Sequence, residues 1–385
     1  MRSFCLHATE FVLPGATMGE GYLPVHDGRL GHYTRERPDT DVVELGDAIV
    51  GPGLVDTHIH GFVGHDVMDL DADGVAEMCR ALPRAGVTTW MPTTLTATRE
   101  DTRAACASVA AYVREAADKP ATRVGGIHLE GPFFTLKYKG AQNEAYMCDP
   151  SMDAMLEWAA AADGLPMKIS IAPERDGAPE FCAQASAKGF VVSLGHADAG
   201  IDDVLACVNA GATQFTHTYN GMRGLHHREP GMVGGAMASH GTYVEVICDG
   251  LHVNPVAVRA LVAAKGWEHV MLISDCMRAG GMPDGDYTLG ELPVVVANGA
   301  ARLRDGGNLA GSILRLCVAV KNVVDWHLVS PDEAIRMASE VPARACGLGD
   351  VAGALVPGRP ADLVVFDRSL DLRATYVAGE VAYQA

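Results

Sequence analysis

Five stretches of this chain end in side chains that hold metals or carry protons. Leu54-Val-Asp-Thr-His-Ile-His60 closes on an H-x-H pair with Asp56 in the same phase, and Val124-Gly-Gly-Ile-His-Leu-Glu130 closes on His128-x-Glu130. Three more close on His196, His217 and Asp275. Alternate residues of a strand face one side, so His58 and His60 project together. Imidazoles and carboxylates are ordinary ligands of divalent first-row metals, and a cluster of this size suits one or two such ions. An ion held there acidifies water and acts as a Lewis acid. A single histidine near a strand end is more often a hydrogen-bonded core residue, and an H-x-H pair alone decides nothing. The metal reading rests on the agreement of all five ends. His7, His26, His32, His65, His240, His269 and His327 lack such placement and read as surface or structural residues.

Each of these ends belongs to a short β-branched run, followed by polar or glycine-rich residues and then an alanine-rich helical stretch. Eight such runs are read, at 54–60, 87–93, 124–130, 167–173, 190–196, 213–217, 243–249 and 270–275. Helical stretches lie between and after them, at Asp73–Ala85, Arg99–Ala117, Met152–Ala161, Asp202–Ala210, Pro255–Lys265 and Ser312–Trp326. Alternating β and α elements predict an α/β fold with a parallel sheet. Eight units predict a TIM-like (β/α)8 barrel, whose active sites lie at the C-terminal strand ends. A doubly wound open sheet is the competing arrangement, but no G-x-G-x-x-G segment follows any run. Residues 1–51 and 350–385 carry short extended runs such as Val42-Val-Glu-Leu45, without a long helix pattern. They are expected to pair into a small β-sandwich domain beside a catalytic barrel of residues 52–349.

At 385 residues, 48% apolar and 20% charged, the chain has the composition of a folded globular protein. Thirty Lys and Arg stand against 48 Asp and Glu, a formal charge of −18. That balance argues against a nucleic-acid partner, which needs a basic footprint, and against a membrane surface of anionic lipid. It also means that a small anionic ligand would meet a repulsive field unless the site reverses it locally. No signal segment is read, and no apolar run approaches the ~20 residues of a membrane span. The ten cysteines are scattered without a C-x-x-C pair, so a cytoplasmic protein with reduced thiols is expected. The 43 glycines exceed the usual share of roughly 7%, which suggests many tight connections.

Longer segments around the strand ends narrow the reading. Pro52-Gly-Leu-Val-Asp-Thr-His-Ile-His60 and Gly358-Arg-Pro-Ala-Asp-Leu-Val364 resemble segments found across the amidohydrolase superfamily. His128-Leu-Glu-Gly-Pro132, Thr216-His-Thr-Tyr-Asn-Gly-Met222, His227-Arg-Glu-Pro-Gly231 and Asp249-Gly-Leu-His252 together resemble its N-acetylglucosamine-6-phosphate deacetylase family. The resemblance runs from about residue 50 to the end. It implies hydrolysis of the acetamide of a 2-acetamido sugar 6-phosphate, giving acetate and an amino-sugar phosphate. By the family pattern Glu130, His196 and His217 would hold the main metal, and His58 and His60 a second. Asp275 would be the catalytic general base, taking a proton from water and returning it to the leaving amine. The metal would be Zn, Fe, Mn or Co, one or two per chain. Asn220, the Gly221 N–H and His252 would meet the phosphate. Arg228 would reach the phosphate of the neighbouring subunit in a homodimer, a role suited to a guanidinium fork. Arg223, His226 and His227 read as solvated loop.

Two details bear on the subfamily. Several amidohydrolases bridge two metals through a carbamylated lysine at the end of the fourth strand. Here the lysine of that strand, Lys168, falls at its start and reads as a peripheral charge, which leaves Glu130 as the bridging candidate. Some family members also carry a carbonyl-polarising histidine after the third strand. This chain has Lys139-Gly-Ala-Gln-Asn143, so Gln142 takes that place. Glutamine donates a hydrogen bond but carries no proton, so carbonyl activation is expected to lean on metal. The loop 133–143 could be a lid or a purely structural loop. N-acetylgalactosamine 6-phosphate, a cyclic amide and a catalytically silent binding barrel are the alternatives. An intact Asp275 beside a full ligand set argues against the last.

Overall fold

In the computed structural model, residues 3–115 and 121–385 are described. Eight parallel strands follow one another around a nearly closed barrel: Leu54–Ile59, Val87–Thr94, Ile127–Glu130, Met167–Ile171, Val191–Leu194, Gln214–Phe215, Tyr243–Ile247 and Val270–Ile273. Each lies within or beside a run read from the sequence. A bridge between Ile59 and Cys276 closes the ring. The strands are buried almost throughout, as helices outside and side chains inside require. That is why they read as β-branched, largely apolar runs with few charges.

The helices Met152–Ala161 and Pro255–Lys265 stand where the pattern places them, and Ile201–Asn209 differs by one residue at each end. The first stretch is α-helical over Ala72–Ala81 and tightens into a 3₁₀ turn at Leu82–Ala85, because Pro83 lacks an N–H for the α ladder. Arg99–Glu115 is helical; residues 116 and 117 of that expectation lie outside the described residues. The last expected helix starts late, at Leu316. Ser312 is bound to the eighth strand's end instead, its N–H donating to the Asp275 carbonyl at 2.7 Å and its hydroxyl to the Ser274 carbonyl at 2.5 Å.

Four helices escape the pattern: Ala178–Ala187, Gly231–Ala238, Pro331–Met337 and Glu340–Ala345. The glycine-rich Gly231–Ala238 has poor helix propensity. Close packing overrides it, since a Cβ on Gly235 would lie 2.6 Å from Val204. An antiparallel insertion, Gly285–Leu289, Leu292–Ala297 and Ala300–Leu303, also went unread between the eighth strand and the helix that begins at Leu316. Its Asn298-Gly299 turn, with both residues at positive φ, is a hairpin signal in plain view.

The chain ends pair with each other. A four-stranded sheet (Phe4–Ala8, Gly21–His26, Arg29–Leu30, Val42–Glu44) faces a six-stranded one, across a core that includes Leu6, Val25, Phe11, Val50 and Leu363. In the larger sheet Ile49–Pro52 pairs with Leu363–Phe366, placing Val50 opposite Val365. Ile49–Pro52 then runs into the first barrel strand through Gly53, where a Cβ would sit 2.1 Å from the Thr88 hydroxyl. All ten cysteines are free, and Cys148 alone is exposed. No helix among the described residues is long and apolar enough to cross a membrane.

Buried Arg336 clamps the terminal sheet onto the barrel. Its guanidinium donates to the Leu13 carbonyl at 2.6 Å and the Ala16 carbonyl at 3.2 Å while pairing with Glu340 at 2.7 Å. Hydrogen bonds to charged groups contribute about 1.5–3 kcal/mol each. Arg336→Ala should therefore lower the urea midpoint by an amount equivalent to about 2 kcal/mol or more. A midpoint equal to that of the unaltered protein would show that the clamp carries no stability.

Candidate metal centre

Glu130 is the last residue of the third strand, and His58 and His60 bracket the end of the first. His196, His217 and Asp275 each lie two residues beyond their strands. These three adopt positive φ, at 48°, 26° and 48°. That region is rare for residues with side chains, though His and Asp are enriched in it. Strain of this kind persists where the surroundings enforce it, often at functional sites.

The side chains converge on Glu130. Its Oε1 lies 3.1 Å from His196 Nε2, 3.0 Å from His217 Nε2 and 3.5 Å from His58 Nε2, and its Oε2 lies 3.2 Å from His60 Nε2. Asp275 Oδ1 stands 3.4 Å from His58 Nε2 and 3.2 Å from His60 Nε2. Two triads result, Glu130–His196–His217 and His58–His60–Asp275, each with its ligand atoms within 4.8 Å of one another.

The far sides of the rings decide what the near sides offer. His60 Nδ1 donates to the Thr93 carbonyl at 3.1 Å, and His196 Nδ1 to the Tyr138 carbonyl at 2.8 Å. A carbonyl only accepts, so those Nδ1 atoms carry a hydrogen, and Nε2 is the nitrogen that each ring turns to the centre as a candidate ligand. His196 Nε2 and His217 Nε2 face each other at 3.0 Å beside a carboxylate oxygen. A divalent ion would be shared by these two nitrogens and the carboxylate oxygen, and ligand bonds of about 2.0–2.3 Å fit that spacing. The residues present thus suit a divalent ion.

Electrostatics agree. Burial works to lower the His58 and His60 imidazoles, but the carboxylates outweigh it: Glu130, Glu245 and Asp275 hold His58 up at about 9, and Asp275 and Glu130 hold His60 well above the usual range. Burial works to raise Glu130, and the surrounding imidazoles keep it well below the ordinary carboxylate range. The carboxylates favour positive charge at the ring nitrogens, and a divalent ion bound there would supply it in place of the imidazole protons.

A cleft of about 320 Å³ opens onto this centre, lined by His60, Glu130, His196, His217 and Asp275 together with Gln142, Asn220, Gly221 and His252. His58 stands directly behind, fully buried. Gly221 has φ +60°, and a Cβ there would lie 2.9 Å from His196 Nδ1. His252 Nδ1 is taken by Asp249 Oδ2 at 2.6 Å, which leaves Nε2 for a ligand. Gln142 accepts the Thr96 N–H at 2.7 Å and donates to Glu130 Oε2 at 2.6 Å, so its amide braces the carboxylate. Arg228 is exposed, touches His227 at 2.8 Å and does not line its own chain's cleft.

Other placements depart from the sequence reading. Lys168 is no peripheral charge: it is wholly buried and paired with Glu245 across the barrel interior. The strand's alternation turns Lys168 and Ser170 inward, and a buried cation persists only beside such a partner. His128 lies deeper than the cleft, its Nε2 2.8 Å from the Ser170 hydroxyl and its ring 4.6 Å from that of His58. The sequence reading gives Glu245 no role and names Asp249 only within the Asp249-Gly-Leu-His252 segment; Leu289, Asn308 and Leu309 come to the cleft from the antiparallel insertion and the turn after it. Lone charges inside the apolar runs of the fourth and seventh strands were the available signal for Lys168 and Glu245.

Residues 49–382 match the amidohydrolase family, and the chain belongs to that family. It is 39% identical over 345 residues to the N-acetylglucosamine-6-phosphate deacetylase of Vibrio furnissii, covering 90% of this chain and 86% of that protein. It is 37% identical over 366 residues to the N-acetylgalactosamine-6-phosphate deacetylase of Escherichia coli O157:H7, covering 94% and 96% respectively. Among solved structures, a mutant N-acetyl-D-glucosamine-6-phosphate deacetylase from Mycobacterium smegmatis, in complex with N-acetyl-D-glucosamine-6-phosphate, matches with a TM-score of 0.93. It is 33% identical to this chain, and the match covers 100% of both.

The Gly221 contact yields a test. Gly221→Ala would push on His196 and disturb the Glu130–His196–His217 triad. The variant should lose metal on dialysis against a weak chelator that leaves the unaltered protein loaded, as read by elemental analysis. Equal retention would mean that the close approach places no constraint on His196.

Proposed function

We propose that this chain hydrolyses the acetamide of N-acetylglucosamine 6-phosphate to glucosamine 6-phosphate and acetate. One observation carries the reading: a ligand cluster of metal type, a buried carboxylate beside it and a set of anion-binding groups open onto one cleft. Its volume falls near the lower end of the roughly 300–1,000 Å³ usual for small-ligand sites. Similarity to deacetylases of acetamido-sugar phosphates supports it.

One or two divalent ions (Zn, Fe, Mn or Co), held by Glu130, His196 and His217 and by His58 and His60, would supply an acidified water and a polarised acetamide carbonyl. Asp275 accepts the proton of the attacking water on its carboxylate. It returns that proton to the amide nitrogen as the C–N bond breaks, so the amine leaves neutral. Gln142 keeps Glu130 in place and offers its remaining N–H to the substrate.

The phosphate lies against the Asn220 amide, the Gly221 N–H and His252 Nε2, with Asp249 orienting the last. Arg228 completes a neighbouring subunit's phosphate site in a homodimer. Its exposure and its separation from its own cleft support that role. The buried free thiols support a cytoplasmic setting.

Acetate release from both C4 epimers after metal reconstitution tests the function, with the faster rate expected on N-acetylglucosamine 6-phosphate. The reverse preference would assign the galacto epimer, favoured by the 37% identical relative. Release from neither substrate would overturn the reading. Asp275→Asn should keep its metal and lose turnover by about 10²–10⁴-fold; loss of metal would make Asp275 primarily a ligand. Subunit mixing tests Arg228. Arg228→Ala and Asp275→Asn chains, each impaired alone, should together recover up to about one quarter of full activity, since random dimers hold one intact site in half their number. No recovery on mixing would place Arg228 outside the partner's site.

A further inference from the structure

Beneath the H-x-H pair, three charged or polar side chains form a closed line through the barrel interior. Lys168 Nζ meets Glu245 Oε1, and Glu245 Oε2 accepts from His58 Nδ1 at 3.0 Å. The same Oε2 accepts the backbone N–H of His217 at 3.2 Å. All three side chains on this line are fully buried. One carboxylate therefore grips the ring of a residue in one triad and the main chain of a residue in the other.

The contact at His58 differs in kind from those at its neighbours. His60 and His196 give their Nδ1 hydrogens to carbonyl oxygens, whereas His58 gives its own to a carboxylate. A carboxylate behind a ligating imidazole fixes ring orientation and tautomer and makes the facing nitrogen more basic. That facing nitrogen, His58 Nε2, has no hydrogen-bond partner and lies 3.5 Å from Glu130 Oε1 and 3.4 Å from Asp275 Oδ1.

Lys168 explains why Glu245 stays in this role. His58, His128 and Glu245 also place their ligand atoms within 4.8 Å of one another, so a bare carboxylate there would compete for the metal. The ammonium takes Oε1 and supplies a fixed charge in place of an ion. Glu245 is left with one free oxygen, Oε2, which serves both His58 and the His217 amide.

We propose that Glu245, paired with Lys168, is the positioning residue of the H-x-H half of the centre, and that it sets how tightly the second ion is held. This rests on the function proposed above, in the case where two ions are bound.

Cobalt(II) titration of the metal-depleted protein tests it, because visible spectra report each equivalent without any activity measurement. The comparison is with Lys168→Met combined with Glu245→Gln, which removes the buried charges as a pair. The unaltered protein should take two equivalents. The double variant should take the first with unchanged affinity and the second about 10–100-fold more weakly. Equal affinity for both equivalents would overturn the positioning role alone. A single equivalent in the unaltered protein would overturn the two-ion reading and this inference with it. A measurement without any variant guards against misfolding. In the zinc-loaded protein, ¹⁵N shifts should show His58 protonated at Nδ1 and ligated at Nε2, and the opposite assignment would overturn the proposal.

Discussion

The Glu130 carboxylate lies within 3.5 Å of four imidazole nitrogens and accepts a hydrogen bond from the Gln142 amide. Burial makes an isolated carboxylate costly. This one persists because three strands of the barrel bring four rings to it and a loop amide caps it. Most of the local architecture serves that meeting. The positive φ values at His196, His217 and Asp275 are a conformational cost that the converging contacts offset. The Gly221 backbone approaches His196 so closely that a methyl group would intrude.

Beneath the cleft the barrel interior departs from the branched apolar layers usual in such folds. The Ser170 hydroxyl joins His128 and Thr216 at 2.8 and 2.7 Å, Thr216 joins Ser193 at 2.6 Å, and Lys168 pairs with Glu245. A half-satisfied network of this kind would be worse than an apolar core. It is therefore tolerated where it organises something above it, and what lies above is the H-x-H pair. Its charges are local. The formal −18 of the whole chain describes the surface, whereas the cleft gathers imidazoles, amides and ligands for cations against one small anion.

Much of this was legible in the residues. Eight β-branched runs alternating with helical stretches carry the barrel, because a strand covered on both faces is mostly apolar even where single polar side chains turn inward. The strand-end residues carry the centre, because fold geometry sends all C-terminal ends to one mouth. Asn220, Gly221 and His252 were reached only through the family resemblance of the segments that carry them. The Gly231–Ala238 helix was not legible, since propensity opposes it and packing against Val204 decides it. The antiparallel insertion was legible at Asn298-Gly299, yet its effect, bringing Leu289 to the cleft, depends on where its apolar face docks.

Lys168 and Glu245 mark the division most clearly. The sequence by itself determined that two opposite charges sit in apolar runs 77 residues apart, and that histidines and acids end the strands. Side-chain alternation and covalent order suffice for that, because both are local. Only the tertiary structure decided that the two charges face each other inside the barrel, and that one of them orients His58. Register around a closed ring and the direction of each imidazole nitrogen are set by contacts between strands remote in sequence. No local pattern encodes such contacts.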